Sequence, residues 1–112
     1  MKFKLIASLL LLACSSVSLA ETCTASWYGG SFHGKKTASG KPFNTHAMVA
    51  AHKRFPFGTK VLVTNLTNNK RTKVIILDRG PFVRGRCIDL SHAAKSAIGM
   101  GGTAKVSLEV IK

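Results

Sequence analysis

Acid is scarce in this sequence. Glu21, Asp78, Asp89 and Glu109 are the only carboxylate side chains, against seventeen lysines and arginines in 112 residues. If the protein does acid chemistry, the choice of residues is therefore short. Metal-site spacing is also missing. His33, His46, His52 and His92 are scattered and there is no Cys-x-x-Cys, so no metal and no cofactor is expected. There is no linker, low-complexity stretch, internal heptad or block of five like charges. The N-terminal apolar run, Leu5 to Ala13, is too short to span a bilayer.

That apolar run follows Lys2 and Lys4, the pattern of an export leader. Ser18-Leu19-Ala20 fits cleavage after Ala20, giving a leader over 1–20 and one small domain over 21–112. Leu11-Leu12-Ala13-Cys14 resembles a bacterial lipobox and supplies the alternative, a chain anchored to the membrane through Cys14. The soluble form, periplasmic or secreted, is the expectation. With Lys2 and Lys4 set aside, fifteen basic residues face four acids, a net charge of +11. Such a surface attracts polyanions. An exported protein meets cell-wall polymers and lipid head groups first, so nucleic acid is not the expected partner. Cys23 and Cys87 remain as a possible pair in an oxidising compartment, with two buried free thiols as the other reading.

Strand patterns dominate the domain. Thr24 to Tyr28 reads as a first strand closed by Gly29-Gly30, and residues 31–44 as a long exposed loop. Met48 to Ala51, Lys60 to Asn65 and Lys73 to Leu77 read as strands, the last two forming a hairpin around Thr67-Asn68-Asn69-Lys70. Ser91 to Met100 has helical composition, with Ser91 or Asp89 as N-cap. Lys105 to Ile111 alternates Val106, Leu108 and Val110 with polar residues, as a half-buried strand does. Strands spread along a short chain with one helix point to a compact barrel. The most informative segment is Val74-Ile75-Ile76-Leu77-Asp78-Arg79-Gly80-Pro81-Phe82. A buried, β-branched strand stops abruptly and delivers one carboxylate to the mouth of the fold.

Several motifs then occur in one order: Ala25-Ser26-Trp27-Tyr28-Gly29, Lys36-Thr37-Ala38-Ser39-Gly40, Ala50-Ala51-His52, Pro56-Phe57-Gly58-Thr59, Asp78-Arg79-Gly80-Pro81-Phe82 and Ile88-Asp89-Leu90-Ser91. Together they resemble the rare lipoprotein A family over nearly the whole domain. The resemblance implies a six-stranded double-psi β-barrel with one short helix. It also implies an endolytic peptidoglycan transglycosylase, cutting between N-acetylmuramic acid and N-acetylglucosamine without water and leaving a 1,6-anhydro end. Ordinary glycosidases use two carboxylates. A lytic transglycosylase can use one group twice, as acid to the leaving oxygen and then as base to the sugar's own 6-hydroxyl.

On that resemblance Asp78 is the candidate catalytic acid/base and His52 its supporting residue. Tyr28, Lys41, Arg79 and Phe82 are candidates for contact with peptidoglycan glycan strands. For each, a structural reading competes: Asp78 paired with Arg79 or bonded in its turn, His52 satisfied by backbone, one of Trp27 and Tyr28 filling the core. Asp89 is expected to be structural, at the helix start. Lys35, Lys36, Lys41, Lys53 and Arg54 either cluster around the cleft or form a solvated face. One departure stands out: the family's loop commonly carries a glutamate where this chain has Lys41. Larger members also carry a further glycan-gripping domain, so any grip here is expected from the groove or from charge. The alternatives are a non-catalytic, expansin-like wall binder, which the lost glutamate favours, and a small cationic protein acting on other cells. A monomer is expected of a small barrel with a charged surface.

Overall fold

The structure, a computed structural model, describes residues 20–111, so the leader, Cys14 and the cleavage and lipidation readings lie outside the described residues. Six strands are formed: β1 (Glu21–Trp27), β2 (Val49–His52), β3 (Lys60–Asn65), β4 (Arg71–Asp78), β5 (Arg86–Leu90) and β6 (Ala104–Ile111). Among the described residues one α-helix, α1 (His92–Ala97), and a 3₁₀ turn at Gly30–Phe32 accompany them. The strands close into a barrel in the order β1-β5-β2-β4-β3-β6. The β1/β5 and β2/β4 pairs are parallel and the remaining four antiparallel. This is the six-stranded double-psi barrel with one short helix that the motifs imply.

Alternation builds the core. Val61 and Val63 of β3, Val74 and Ile76 of β4, Ile88 and Leu90 of β5, and Val106 and Leu108 of β6 all point inward and are fully buried. Their intervening neighbours, such as Lys60, Lys73, Ile75 and Glu109, face solvent, the period-two pattern of a sheet wetted on one side. Ala94, Ile98 and Met100 join the same core from α1 and its exit. Ser91 caps the helix, its Oγ accepting from Ala94 N–H at 3.2 Å. The helix runs shorter than its composition predicts because Ile98 ends it and Gly99 turns away at φ +63°. The Asn65 and Asn68 side chains donate to the Ile98 carbonyl at 2.8 and 3.1 Å, tying the β3–β4 turn to the helix end. Buried Asn65 is thereby a structural donor.

Two local readings change. β1 begins at Glu21, earlier than its apolar residues indicate, because Glu21 pairs with Leu108 of β6. Strand β5 gave no local signal. It is five residues long, carries Arg86 and Asp89, and takes its partners from β1 and β2, far away in sequence. Cys23 and Cys87 are joined by a disulfide, with Cα atoms 5.8 Å apart across 64 residues. The bridge couples β1 to β5, where the parallel register shifts between Thr24 and Ala25. Replacing both cysteines by serine is expected to lower unfolding free energy by about 2–4 kcal/mol, read from denaturant midpoints against the oxidised protein.

Candidate functional site

The sequence-predicted strand end is where the groove forms. β2 lies between β4 and β5, and Ala51 is in register with Asp78 on one side and Asp89 on the other. The two carboxylates therefore flank one small residue at one mouth of the barrel, their Cα atoms two strand spacings or about 10 Å apart. Both line a groove of about 430 Å³ together with Trp27, Tyr28, Phe32, Arg79, Phe82, Val83 and Arg86.

Asp78 is held from three directions. Its Oδ2 accepts from the Tyr28 hydroxyl at 2.6 Å, and its Oδ1 from the backbone N–H groups of Ala38 at 2.8 Å and Arg79 at 2.9 Å. Burial and the adjoining carboxylate push the Tyr28 phenol far above its usual range, so the tyrosine is firmly the donor. Asp89 is placed differently. Its Oδ1 accepts from the Ser26 hydroxyl at 3.0 Å. Burial raises its pKa and Asp78 adds to the rise, against the lowering effects of Ser26 and Arg86. The sequence offered a structural role for Asp89 and either Ser91 or Asp89 as the helix cap. Ser91 takes that task, and pairing with β1 and β2 turns Asp89 toward the groove.

The loop over residues 31–44 is folded against this site. Lys36 bridges to Pro42, Thr37 and Phe43 are buried, and Ser39 N–H donates to the Leu77 carbonyl at 3.1 Å. Phe43 stacks on Tyr28 with ring centroids 4.1 Å apart, and Phe32 meets the same ring edge-on at 5.5 Å. Tyr28 thus faces the groove from an aromatic wall, while Trp27, also at the groove, packs against the core and takes Lys95 over its ring at 4.8 Å. Phe82 stands 79% exposed on the groove's rim. Its ring lies against Gly80, whose φ of +116° is a conformation that residues with side chains rarely adopt; an added Cβ there would also sit 3.3 Å from the Phe82 ring.

His52 is placed elsewhere. Its imidazole is 1% exposed and lines a neighbouring pocket with Glu21. Nδ1 accepts from the Arg54 and Phe55 N–H groups at 3.0 and 3.1 Å, which leaves the proton on Nε2, 3.2 Å from Glu21 Oε1. Among the described residues no hydrogen bond joins it to Asp78. Its connection to that carboxylate runs through Arg79. The Arg79 Nη1 donates to the His52 and Phe55 carbonyls at 3.2 and 2.8 Å, and its guanidinium lies 4.1 Å from the Phe57 ring centre. His52 folds the 52–57 turn, and that turn holds the residue next to Asp78. Lys41 is exposed and absent from the groove lining; its carbonyl closes the turn with Thr37.

Residues 20–108 match the family model described as lytic transglycolase. The chain belongs to this family. It is 54% identical, over 85% of its length, to the endolytic peptidoglycan transglycosylase RlpA of Campylobacter jejuni. To the probable endolytic peptidoglycan transglycosylase RlpA of Aquifex aeolicus it is 58% identical over 68% of its length. It spans about a third of those proteins, 36% and 34% respectively. A likeness of fold extends to the expansin of Clavibacter michiganensis, with a TM-score of 0.65 over 84% of this chain and 51% of that one at 20% identity.

The His52 arrangement makes a stability prediction. Burial lowers its pKa, helped by Arg54 and Arg79 and opposed by Glu21. A base with a depressed folded pKa stabilises above its unfolded value and loses that contribution as pH falls. Stability should therefore decline as pH drops below about 6.5, the free histidine value. His52→Asn, which keeps an acceptor for the two amides, should flatten that decline in thermal melts across pH. His52→Leu should cost about 1–3 kcal/mol for each amide left bare.

Proposed function

We propose that this chain is a lytic transglycosylase acting on peptidoglycan glycan strands and leaving 1,6-anhydro ends. The observation that carries the reading is the meeting of Asp78 and Asp89 across Ala51 in an aromatic-walled groove. Family membership and the relatives' activity support it. Tyr28, Phe32 and Phe82 offer ring faces to the apolar faces of pyranoses. In this reading the protein works outside the cytoplasmic membrane, which its leader pattern, disulfide and basic surface support.

The two carboxylates divide the chemistry. Asp78 has both oxygens occupied by donors, so it serves as a fixed acceptor and a negative charge facing the developing oxocarbenium centre. Asp89 is the acid. Burial keeps its proton to higher pH, and the Ser26 hydroxyl engages only Oδ1, leaving Oδ2 for the substrate. It protonates the glycosidic oxygen as the bond to C1 breaks. The carboxylate so formed takes the proton of the sugar's 6-hydroxyl as that oxygen closes on C1, and Asp89 returns to its starting state with no water consumed. The family resemblance implies both proton transfers at Asp78; this reading moves them to Asp89 and keeps Asp78 as the stabilising charge. His52 and Arg79 are positioning residues.

The test incubates the protein with sacculi and with peptide-free glycan strands and examines soluble products by mass spectrometry. Wild type should release 1,6-anhydro muropeptides and anhydro-ended strands. Asp78→Asn and Asp89→Asn should each lower the rate at least about 100-fold. The wild-type rate should fall as pH rises through the raised Asp89 pKa, because the acid is lost. Glycan binding without anhydro products would overturn the assignment. It would favour the expansin-like binder, the second reading supported by the shared fold and by Lys41 in place of the family glutamate.

A further inference from the structure

Beside the groove lies a second concavity of about 360 Å³, over the Cys23–Cys87 bridge. Lys53, Arg54, Arg86 and Lys105 line it, with Glu21 and the buried His52 at one side. The mechanism above uses none of its space. Its charge is unbalanced: four cations face one carboxylate, and Glu21 is already engaged by His52 Nε2. Among the described residues none of the four cations lies within ion-pair distance of a carboxylate. They come from three separate places, the turn after β2, the start of β5 and the start of β6. The barrel therefore gathers them where no chain-local charge run does.

Arg86 lines both this pocket and the groove. A ligand seated on Asp78 and Asp89 thus runs beside the cationic pocket. We propose that the pocket is a carboxylate subsite, taking an acidic group that hangs from the glycan strand next to the bond being cut. The proposal rests on the glycan reading of the groove. Guanidinium and ammonium groups hold a carboxylate through charge-assisted hydrogen bonds, and the two arginines allow paired contacts. The phenyl-rich groove then supplies stacking, and the pocket supplies selection for acidic over neutral strands. The carboxylate has two possible sources in such a polymer, the free lactyl group of a peptide-free muramic acid or an acidic residue of an attached peptide.

Trp27, the chain's single tryptophan, lines the groove, so its fluorescence can follow binding. The full chain is titrated with a peptide-free tetrasaccharide of alternating N-acetylglucosamine and N-acetylmuramic acid, the peptide-bearing tetrasaccharide, the methyl esters of both, and a neutral N-acetylglucosamine tetramer. A free acid should bind about tenfold more tightly than its ester, about 1.4 kcal/mol. A preference confined to the peptide-free pair identifies the lactyl group, and one confined to the peptide-bearing pair identifies the stem. Arg54→Gln with Lys105→Gln, both exposed and outside the groove lining, should bring that ratio to about one while the neutral tetramer binds as before. Equal binding of acids and esters by wild type, or a ratio that survives the double substitution, overturns the subsite and leaves the groove standing. Failure of every saccharide to bind overturns the groove reading and the subsite with it.

Discussion

The register of β2 is the constraint on which the site depends. Four residues long and wholly buried, this strand bonds to β4 on one side and β5 on the other, and Ala51 fixes the heights of Asp78 and Asp89 together. A one-residue slip in either pairing would turn a carboxylate to the opposite face. The apolar interior resists such a slip, because it would also expose Ile76 or Ile88, both fully buried. The geometry of the two carboxylates is thus held by core packing, and the loops contribute walls and hydrogen bonds to a frame already set.

The scarcity of acid takes on meaning in that frame. Two of the four carboxylates stand in the groove, a third is bonded to His52, and Glu109 faces solvent on β6. In a strongly basic protein nearby cations favour the ionised carboxylate, which under the proposed reaction would disarm the acid. The structure limits that effect by occupying its cations. Arg79, adjacent to Asp78 in sequence, spends its guanidinium on two carbonyls and the Phe57 ring. Lys41 is exposed and is not among the groove-lining residues. Arg86 does lower the Asp89 pKa, but burial outweighs it. In the proposed function the remaining positive charge would attract an acidic polymer while burial holds the Asp89 pKa up.

Much of the barrel was legible because its signals are local. The alternation in β3, β4 and β6, the hairpin turn and the Ser91 cap each lie within a few residues, and the ordered motifs supplied the closure. Asp78 was legible too, as a carboxylate ending an apolar strand. Strand β5 and the role of Asp89 were not. Their partners are β1 and β2, and nothing within ten residues reports a parallel pairing with a strand more than sixty residues away. The His52 site was hidden for the same reason: its partner Glu21 comes from the first strand. Even the 31–44 loop, polar and glycine-rich, conceals the buried Phe43 that stacks on Tyr28.

Strand β5 carries the clearest link from covalent structure to chemistry. Within four residues it places Arg86 between the two concavities, Cys87 in the disulfide, Ile88 in the core and Asp89 in the groove. So short a strand, charged at two positions and parallel to β1, has little intrinsic preference for its place. The bridge to Cys23 supplies one anchor and the Ser26–Asp89 hydrogen bond another, both from β1 and on either side of the register shift. A bulge between two such anchors cannot migrate, because moving it would separate either the sulfurs or the hydroxyl from its carboxylate. Oxidation of the cysteines therefore does more than restrict the unfolded chain. It fixes which residues of β5 face the groove, and through Arg86 it ties the position of the acid to the position of the cationic pocket beside it.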